Sequence, residues 1–501
     1  MIGVDTIASL YKHSLALLTD LYQLTMAYGY WKLGLADRET VFCLQFRSHP
    51  FDGGFTIACG LQTAIEYING LRFDQSDLAY LGSLTGNDAK PLFEPGFLDY
   101  LRAMEFRCDL DAVPEGTAVF PYEPLVRVRG PVLQCQLLET PLLTILNFQT
   151  LIATKAARVC LAAEGEPVIE FGLRRAQGID GGISASRAAF VGGCVGTSNV
   201  LAGKLFGIPV KGTHAHSWVM LFPNEREAFE RYAEVMPNNC VFLVDTYNTL
   251  EGVRHAIEVG KKLRAAGHHM IGIRLDSGDL AYLSIEARSL LDAAGFQDAS
   301  ILASNELDEQ VITSLKDQGA TITVWGVGTH LVTAYDQPAL GGVYKLTAVH
   351  DPDGTWQEKV KVSEQTVKST VPGLLQVRRY HQNGHMVADA IYDEILGIKD
   401  AYTIVDPNDI TRRKKIPRDT THEDLLVPVF QQGRCVYMSP ALDAIRDRTR
   451  SQLDALHPTI KRFLNPHPYP AGLEKGLHQL RTELILQARH IEKNNHEEEE
   501  A

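Results

Sequence analysis

The sequence predicts an α/β protein: an irregular, incomplete α/β barrel plus a discontinuous α/β domain formed from the N-terminal and C-terminal segments. Two observations predict this fold class. In the middle of the chain, short apolar strands alternate with helices, as parallel sheets require. On both sides of it, short strands are separated by turns rich in proline and glycine. The predicted boundaries are 1–165 for the N-terminal segment, 166–342 for the barrel, 343–490 for the C-terminal segment and 491–501 for a disordered acidic tail.

The regular structure of the N-terminal segment begins with a helix. Thr19 or Asp20 is suited to cap this helix, and Gly34 ends it. Its aromatic side chains cannot all lie on one face, so some of them must meet a second domain, a subunit or a ligand. They are Tyr22, Tyr28, Tyr30 and Trp31. The pattern then predicts a strand over 40–46, a helix over 60–68, short strands over 113–138 and a helix over 143–158.

The barrel region contains clear strands over 241–245, 270–276, 300–304 and 321–326. Helices such as 250–267 separate them, and strands that alternate with helices of this length pair in parallel. Parallel sheets place their functional sites at the carboxyl ends of the strands. We therefore expect one pocket to be lined by the loop 213–217 and by residues at these strand ends. The strand-end residues are Arg274, Asp276, Ser304, Asn305 and the segment 326–329.

The C-terminal segment begins as β structure and ends as helix. The strands over 343–349 and 356–362 flank an Asp-Pro-Asp-Gly turn, which predicts a hairpin. From Ser439 onward the chain is helical and polar. Because the two ends share a β/α character, we expect them to fold together around the inserted barrel.

Composition excludes several classes of function. The chain has 501 residues, 45% of them hydrophobic, and a net charge of −13, so non-specific nucleic-acid binding is not expected. Its eight cysteines include no Cys-x-x-Cys pair, which argues against a thiolate zinc site or a disulfide framework. No apolar run is long enough to span a membrane, and the first residues lack the pattern of a secretory signal. We therefore expect a cytoplasmic protein.

Polar side chains are concentrated in the middle of the barrel region. Ser198 is placed to cap a small helix, and a short strand over 208–210 leads into the loop 213–217. In an extended segment, His214 and His216 project from the same face. For a His-x-His pattern alone, a polar turn with solvated histidines is the commoner interpretation. A functional role therefore needs support from the rest of the chain.

Three other segments are suited to anionic ligands. The Gly-Val-Gly-Thr sequence at 326–329 follows a strand and offers N–H groups and a hydroxyl to a phosphate. Arg274 can hold a phosphate or a carboxylate, and Asp276 can accept from ribose hydroxyls. Phe171 can stack on a planar ring, with Arg174 close by. Each feature has a structural alternative: a turn, a salt-bridged strand end, or a core phenylalanine beside a surface arginine. Together they predict a site for a phosphorylated sugar and a flat anionic heterocycle.

Six longer motifs carry a resemblance to a known family. In chain order they are TDLYQLTMAYGY (19–30), EFGLRRAQGIDGG (170–182), GTHAHSWV (212–219), RLDSGDL (274–280), GVGTHLVTA (326–334) and GGVYKL (341–346). Through them the chain resembles nicotinate phosphoribosyltransferases over nearly its full length. Several long motifs in one order are far more specific than a His-x-His pair, although the segment after about Asp351 is less diagnostic.

The resemblance implies an enzyme of NAD biosynthesis. It would join nicotinate to 5-phosphoribosyl 1-diphosphate, giving nicotinate mononucleotide and diphosphate, with ATP as a co-substrate. By the family's pattern, His216 is transiently phosphorylated by ATP. Mg²⁺ carried by the substrate phosphates, and a homodimer with shared active sites, are implied in the same way.

The family's pattern also implies which residues contact nicotinate. Tyr22 would contact the ring from the neighbouring subunit, with Phe171 on the other face, and Thr213 and Arg274 would bind nicotinate or its near surroundings. The related nicotinamide phosphoribosyltransferase has an Asp at the position aligned with Ser198. That carboxylate would repel the carboxylate of nicotinate, so Ser198 favours nicotinate as the substrate.

The sugar and its phosphates would meet a second set of residues. The resemblance implies that Asp276 takes the ribose and that Gly328 and Thr329 bind the 5′-phosphate. The leaving diphosphate needs cations, for which Arg174 and the magnesium ion are the candidates.

Other classes of protein share parts of this pattern. A metal-dependent amidohydrolase also uses His-x-His at a barrel strand end, but the later strand ends here carry no histidine. A non-catalytic protein that binds nicotinate mononucleotide would lack catalytic residues that this chain retains. A quinolinate-using transferase would need more cations and no phosphorylatable histidine.

Overall fold

The structure is a computed structural model that describes residues 15–363, 369–400 and 402–499, with side chains to position 489. Contacts divide the chain into two compact units. The discontinuous unit contains residues 1–151 and 339–501, and the continuous unit contains residues 152–338. The first residues, in which the sequence shows no secretory signal, lie outside the described part of the chain.

The described helices range from 4 residues in α14 to 25 in α16. They are α1 (Leu21–Lys32), α2 (Leu61–Asn69), α3 (Gln75–Ser83), α4 (Pro95–Ala103), α5 (Val132–Leu137), α6 (Glu139–Ala162), α7 (Ile179–Gly192), α8 (Val200–Phe206), α9 (His216–Met220), α10 (Glu225–Val235), α11 (Thr249–Ala265), α12 (Leu280–Ala293), α13 (Glu309–Asp317), α14 (Thr329–Val332), α15 (Leu442–Ala455) and α16 (Lys475–Glu499). Single turns of 3₁₀ helix lie at Pro50–Asp52, Leu173–Arg175 and Pro458–Ile460. Among the described residues, no helix combines the length and apolar character that crossing a membrane requires.

The strands are distributed over both units. They are β1 (Glu39–Gln45), β2 (Thr56–Ile57), β3 (Asp109–Ala112), β4 (Ala118–Val119), β5 (Val126–Pro131), β6 (Val168–Glu170), β7 (Gly196–Thr197), β8 (Val241–Leu243), β9 (Gly272–Leu275), β10 (Ser300–Ala303), β11 (Val324–Val327), β12 (Val343–His350), β13 (Trp356–Glu358), β14 (Leu375–Gln382), β15 (His385–Asp393), β16 (Thr403–Val405), β17 (Arg413–Lys415), β18 (Thr421–Asp424), β19 (Val427–Gln431), β20 (Arg434–Cys435) and β21 (Ala471–Glu474).

The discontinuous unit joins the two ends of the chain in one sheet. Its larger sheet has the order β13-β12-β1-β5-β3-β19-β20, so β1 lies between β5 and the C-terminal β12. Both neighbours run antiparallel to β1. The predicted hairpin is confirmed, because β12 and β13 pair antiparallel. A second sheet, of order β17-β16-β21-β15-β14-β18, is built from the C-terminal segment, and its β15–β21 pair is parallel.

The continuous unit is built on a parallel sheet, as the alternation of strands and helices predicts. Its six strands have the order β7-β6-β11-β10-β9-β8, and every adjacent pair is parallel. The carboxyl ends of all six strands therefore lie along one edge of the sheet. The mixed α/β class is confirmed, while closure of this sheet into a barrel stays an interpretation.

Buried apolar side chains form the interior of the parallel sheet. Phe242, Ile273, Ile301 and Trp325 are fully buried. Strands that are covered on both faces are apolar at successive positions, and this explains the runs that identify them in the sequence.

Polar residues between the strands and the helices that follow them act as helix N-caps. The side chains of Asn248, Asp279 and Asp308 accept hydrogen bonds from the first-turn N–H groups of α11, α12 and α13. Each such cap stabilises a helix by about 1 kcal/mol.

The last helix, α16, extends into the range 491–501 for which the sequence predicts a disordered tail. Glutamate and lysine in this stretch are good helix formers, so its backbone can continue the preceding helix. The side chains after position 489, and residues 500–501, lie outside the described residues.

Candidate active site

Arg274 holds the centre of the site at the carboxyl edge of the parallel sheet. Its guanidinium donates from Nε to Ser304 Oγ (2.8 Å), from Nη1 to Thr213 Oγ1 (3.1 Å) and from Nη2 to Asp276 Oδ1 (2.8 Å). The Ser304 hydroxyl donates to the same oxygen of Asp276. The structure thus brings Arg274, Asp276 and Ser304 together with Thr213 of the loop 213–217, while the single pocket that would also include Asn305 and 326–329 stays a prediction. A guanidinium held in one orientation is prepared to bind a planar or tetrahedral anion.

Asp276 is held in its ionised form by these donors. Burial alone raises the pKa of its carboxyl group, but the hydrogen bond from Ser304 and the charge and hydrogen bond of Arg274 outweigh burial. The net result is a pKa below the ordinary value. A carboxylate that stays ionised near neutral pH can accept hydroxyl groups and stabilise positive charge.

His216, the first residue of α9, lies beside two carboxylates. Its Nε2 atom is 3.7 Å from Asp276 Oδ2 and 4.0 Å from Asp245 Oδ1, while its Nδ1 atom is 3.1 Å from Thr246 Oγ1. Its side chain is 39% exposed, so the ring is accessible to a ligand. An accessible imidazole between hydrogen-bonding partners has the chemistry of a phosphoryl acceptor or a proton carrier.

His214 does not share the environment of His216, so the expectation that both project from one face is wrong. The side chain of His214 is buried, and its ring packs against Tyr232 with centroids 4.9 Å apart. Its Nε2 accepts from the backbone N–H of Leu243 (3.3 Å), and its Nδ1 lies 3.4 Å from the carbonyl of Ala215. The extended pattern fails because α9 begins at His216 and changes the direction of the chain.

The hydrogen bonds of His214 also argue against the metal-dependent amidohydrolase alternative. Because both ring nitrogens of His214 face backbone partners, the His-x-His pair does not offer two free ligands. Within the described residues, Asp308, His330 and Asp336 form the group whose ligand atoms lie within metal-binding distances of one another. Asp336 there is paired with Lys155 at 2.9 Å, so the cluster already has a cation.

Phe171 directly follows β6 and lies beside the central arginine. The Cζ atom of Arg274 is 5.6 Å from the centroid of the Phe171 ring. The ring also lies against Gly326 of β11, where an added Cβ would be 2.7 Å from Phe171 Cδ2. Glycine at this position therefore makes room for the ring. A flat apolar surface next to a guanidinium is suited to an aromatic acid.

A buried network supports the turn that carries Phe171. Glu170 is fully buried and accepts from Ser186 Oγ (2.9 Å), Thr197 Oγ1 (2.5 Å) and the backbone N–H of Gly172. Sequence reasoning did not identify Glu170 as part of the site. Two signals could have identified it: Glu170 is an ionisable residue at the end of an otherwise apolar strand, and it begins the motif 170–182.

Ser198 follows β7 and is half-buried. Its backbone N–H donates to the carbonyl of Glu170 at 2.9 Å. The predicted capping role is wrong, because the cap of α8 is the next residue, Asn199, whose side chain accepts from the N–H of Ala202. Asn199 is itself held by Thr197, whose hydroxyl accepts its backbone N–H.

The predicted phosphate-binding loop lies at the end of β11. Gly328 precedes α14, and Thr329 begins it. The Thr329 hydroxyl donates to Glu306 Oε1 at 3.3 Å. The loop is adjacent to the Phe171 turn, because the Phe171 N–H donates to the carbonyl of Val327 at 2.8 Å.

Two predicted residues lie apart from these contacts. Arg174 is exposed on a 3₁₀ turn, where it makes no ion pair or side-chain hydrogen bond with any described residue. Tyr22 belongs to the discontinuous unit, on α1, where its residue surface is 47% exposed. The diphosphate-binding role of Arg174 and the nicotinate-binding role of Tyr22 therefore stay predictions.

Asp245 and Thr246 complete the surroundings of His216. Asp245 is one of the polar strand ends visible in the sequence, whereas Thr246 carries no motif. A search for hydroxyl residues within three positions of a parallel strand's end would have found it.

A parallel α/β sheet whose strand ends gather a fixed arginine, an ionised aspartate, hydroxyls and an accessible histidine is typical of enzymes that act on phosphorylated substrates. Family models narrow this class. Residues 17–147 match the nicotinate phosphoribosyltransferase (NAPRTase) N-terminal domain, residues 167–367 the NAPRTase family and residues 376–481 the NAPRTase C-terminal domain.

Individual proteins agree with the family models. The nicotinate phosphoribosyltransferase of Bacillus subtilis (strain 168) is 44% identical over 467 residues, which cover 92% of this chain and 93% of the relative. The Homo sapiens protein of the same name is 34% identical over 524 residues, 93% of this chain and 95% of the relative. The chain therefore belongs to the nicotinate phosphoribosyltransferase family.

Solved structures extend the similarity to the fold. The crystal structure of human nicotinic acid phosphoribosyltransferase has a TM-score of 0.81 and 32% identity, covering 93% of this chain and 99% of that one. Nicotinate-nucleotide pyrophosphorylase from Pyrococcus furiosus has a TM-score of 0.66 at 23% identity, covering 88% of this chain and 96% of that one. The second similarity concerns the fold alone.

Proposed function

We propose that this protein transfers the phosphoribosyl group of 5-phosphoribosyl 1-diphosphate to nicotinate. The products are nicotinate mononucleotide and diphosphate, and ATP hydrolysis through phosphorylated His216 is coupled to the transfer. The observation that carries the proposal is the group formed by Arg274, Asp276, Ser304 and Thr213 beside an accessible His216, in a chain of this family.

The transfer at the sugar is a displacement. The pyridine nitrogen of nicotinate forms a bond to the anomeric carbon, and the bond from that carbon to the diphosphate oxygen breaks. The diphosphate leaves with the electron pair, and no proton has to move. The ionised Asp276 accepts ribose hydroxyls and stabilises the positive charge that develops on the sugar.

Nicotinate binds beside the aromatic surface of Phe171 and the guanidinium of Arg274, which Thr213 holds in place by accepting a hydrogen bond from it. The guanidinium is suited to its carboxylate, and the nearby Phe171 ring is suited to its plane. Ser198 adds no negative charge to this region, which favours an acid over an amide. In the proposed homodimer, Tyr22 would cover the ring from the neighbouring subunit.

The phosphates meet Gly328, Thr329 and Arg174. The first two offer N–H groups and a hydroxyl to the 5′-phosphate, and Arg174, which pairs with no residue in the described part of the chain, is a cation for the leaving diphosphate. Mg²⁺ carried by the substrate phosphates would supply charge neutralisation there, and no protein ligand is assigned to it. The Asp308, His330 and Asp336 group does not fit this ion, because Asp336 is paired with Lys155 and Asp308 with His330.

ATP coupling uses the imidazole of His216. One ring nitrogen bonds to the γ-phosphorus, and the bond from that phosphorus to the bridging oxygen breaks, so that ADP leaves with the electron pair. Water later cleaves the phosphorus–nitrogen bond and releases phosphate. While His216 is phosphorylated, its added negative charge lies at the strand ends. That charge changes the affinity of the site for diphosphate.

Diphosphate release tests the proposal. Purified protein is incubated with 5-phosphoribosyl 1-diphosphate and with nicotinate, nicotinamide or quinolinate, each with and without ATP. We expect release with nicotinate, stimulation by ATP, and little release with the other two bases. Preference for quinolinate or nicotinamide would contradict the assignment of the base, and a rate that ATP does not change would contradict the coupling.

A further inference from the structure

Thr246 provides the hydroxyl that contacts the ring of His216. Its Oγ1 atom is 3.1 Å from Nδ1 of the histidine. Thr246 lies just past the end of β8, and His216 begins α9, thirty residues earlier in the chain. The contact therefore ties the histidine to the rigid edge of the sheet.

The other ring nitrogen faces negative charge. Nε2 lies 3.7 Å from Asp276 Oδ2 and 4.0 Å from Asp245 Oδ1. The side chain of Asp245 is fully buried, and its Oδ2 atom accepts from the N–H of Asp276 (2.9 Å) and the hydroxyl of Ser277 (2.6 Å). Its Oδ1 atom has no hydrogen-bond donor among the described residues. A buried carboxylate oxygen without a donor is thus directed at Nε2.

This asymmetry selects one neutral form of the imidazole. A neutral ring carries one N–H, and a proton on Nε2 faces the two carboxylates, whereas a lone pair there would be repelled by them. With the proton on Nε2, Nδ1 is an acceptor and the Thr246 hydroxyl donates to it. The other charged or titratable groups nearby are Arg274, which is paired with Asp276, and the buried His214.

We propose that Thr246 is a positioning residue for His216: its hydroxyl stabilises the form protonated on Nε2 and fixes the ring with the Nδ1 lone pair directed away from the carboxylates. The role rests on the proposed function, in which His216 takes a phosphoryl group from ATP. As the bond from Nδ1 to the γ-phosphorus forms, the bond to the bridging oxygen breaks and ADP carries away the electron pair. The proton stays on Nε2, where Asp245 and Asp276 stabilise the cationic ring.

The test compares Thr246→Val, which keeps the shape and removes the hydroxyl, with Thr246→Ser, which restores it. Labelling by [γ-³²P]ATP measures phosphorylation, and ¹⁵N chemical shifts of the His216 ring report which nitrogen holds the proton. We expect Thr246→Val to slow labelling by roughly tenfold to a hundredfold and to mix the two neutral forms, because small misplacements of a reacting group have effects of this size. Thr246→Ser should stay within about threefold of the wild-type labelling rate and keep the wild-type ¹⁵N shifts of the His216 ring.

Thr321→Val is the matched control. In the wild type, the Thr321 hydroxyl donates to the carbonyl of Ser284 at 2.7 Å, before the amino end of β11. The variant therefore also loses one threonine hydrogen bond, but at a place away from His216. Wild-type labelling rates and ¹⁵N shifts in Thr246→Val would overturn the proposal, as would equal losses in Thr246→Val and Thr321→Val. If the wild type takes no label from ATP, the coupling in the proposed function fails, and the ¹⁵N comparison still decides whether Thr246 sets the protonation of the ring.

Discussion

The guanidinium of Arg274 and the carboxylate of Asp276 lie 2.8 Å apart at the end of β9, and the Ser304 hydroxyl bonds to both of them. Neither charged group is free to rotate without breaking the bonds of the other. The pair therefore presents a fixed cation and a fixed anion to a ligand that itself carries both signs of charge during the reaction.

Arg274→Lys should lower kcat/KM for diphosphate release by about a hundredfold. One ammonium group cannot reproduce bonds from three guanidinium nitrogens to Ser304, Thr213 and Asp276, and losing a fixed donor to a developing charge has effects of this size. Arg264→Lys is the control, since Arg264 packs on Phe296 at 4.0 Å and lies outside the site. Steady-state kinetics would contradict the role of Arg274 if both variants kept full activity.

His214 should make folding sensitive to mild acid. Burial lowers its pKa to about 4 from an ordinary 6.5, so between these values the unfolded chain binds a proton that the folded chain does not. Stability from this group is therefore present above pH 6.5 and is lost as the pH falls through 4, by roughly 3 kcal/mol in total.

Urea unfolding of the wild type and of His214→Gln at pH 7 and pH 4 measures this effect. The variant lacks the titrating group, so the stability difference between the two proteins should narrow on acidification. The exposed His269, replaced in His269→Gln, serves as the control and should leave the pH dependence of the wild type unchanged. A difference for His214→Gln that is the same at both pH values would be inconsistent with a buried neutral His214.

Gly326→Ala should displace the ring of Phe171. The added Cβ would lie 2.7 Å from Cδ2 of the ring, which is closer than real side chains approach. Overpacking of this kind lowers the free energy of unfolding by roughly 1 to 3 kcal/mol, and KM for nicotinate should rise with it. Gly181→Ala, in α7 with no heavy atom within 4 Å, should change neither quantity for the worse. A Gly326→Ala protein with wild-type stability and wild-type KM would show that the ring has room to spare.

Ser198→Asp should weaken the binding of nicotinate much more than the binding of 5-phosphoribosyl 1-diphosphate, because the new carboxylate repels the carboxylate of nicotinate. Ser198→Asn has a similar size without the charge and separates repulsion from bulk. KM values for both substrates measure the effect. Equal losses for the two substrates would place Ser198 away from the base.

Local patterning predicts much of this fold. The strands of the parallel sheet are apolar because both faces are covered, and the helix caps follow them at short spacing, so β8 to β11 are visible in the sequence. Arg274 and Asp276 are both predicted at the end of one strand, and the structure joins them in an ion pair there.

The histidine loop shows where such patterning stops. Alternation holds only while the chain stays extended, and here the chain turns into α9 at His216. Burial of His214 against Tyr232, which follows it by 18 positions, is a long-range contact that spacing does not encode. Thr246 and Glu170 act through similar contacts between elements, so local patterning does not reveal their roles, even though Glu170 begins one of the motifs.

Formation of nicotinate mononucleotide tests the central claim most directly. Labelled nicotinate and 5-phosphoribosyl 1-diphosphate are incubated with the wild type and with Arg274→Gln, whose folding is checked by its unfolding curve, and the nucleotide is separated and counted. The wild type should form nucleotide in equal amount to diphosphate, and the folded variant should form almost none. No labelled nucleotide from the folded wild type, or equal yields from both proteins, would contradict a transferase site built on Arg274 at the ends of the parallel strands.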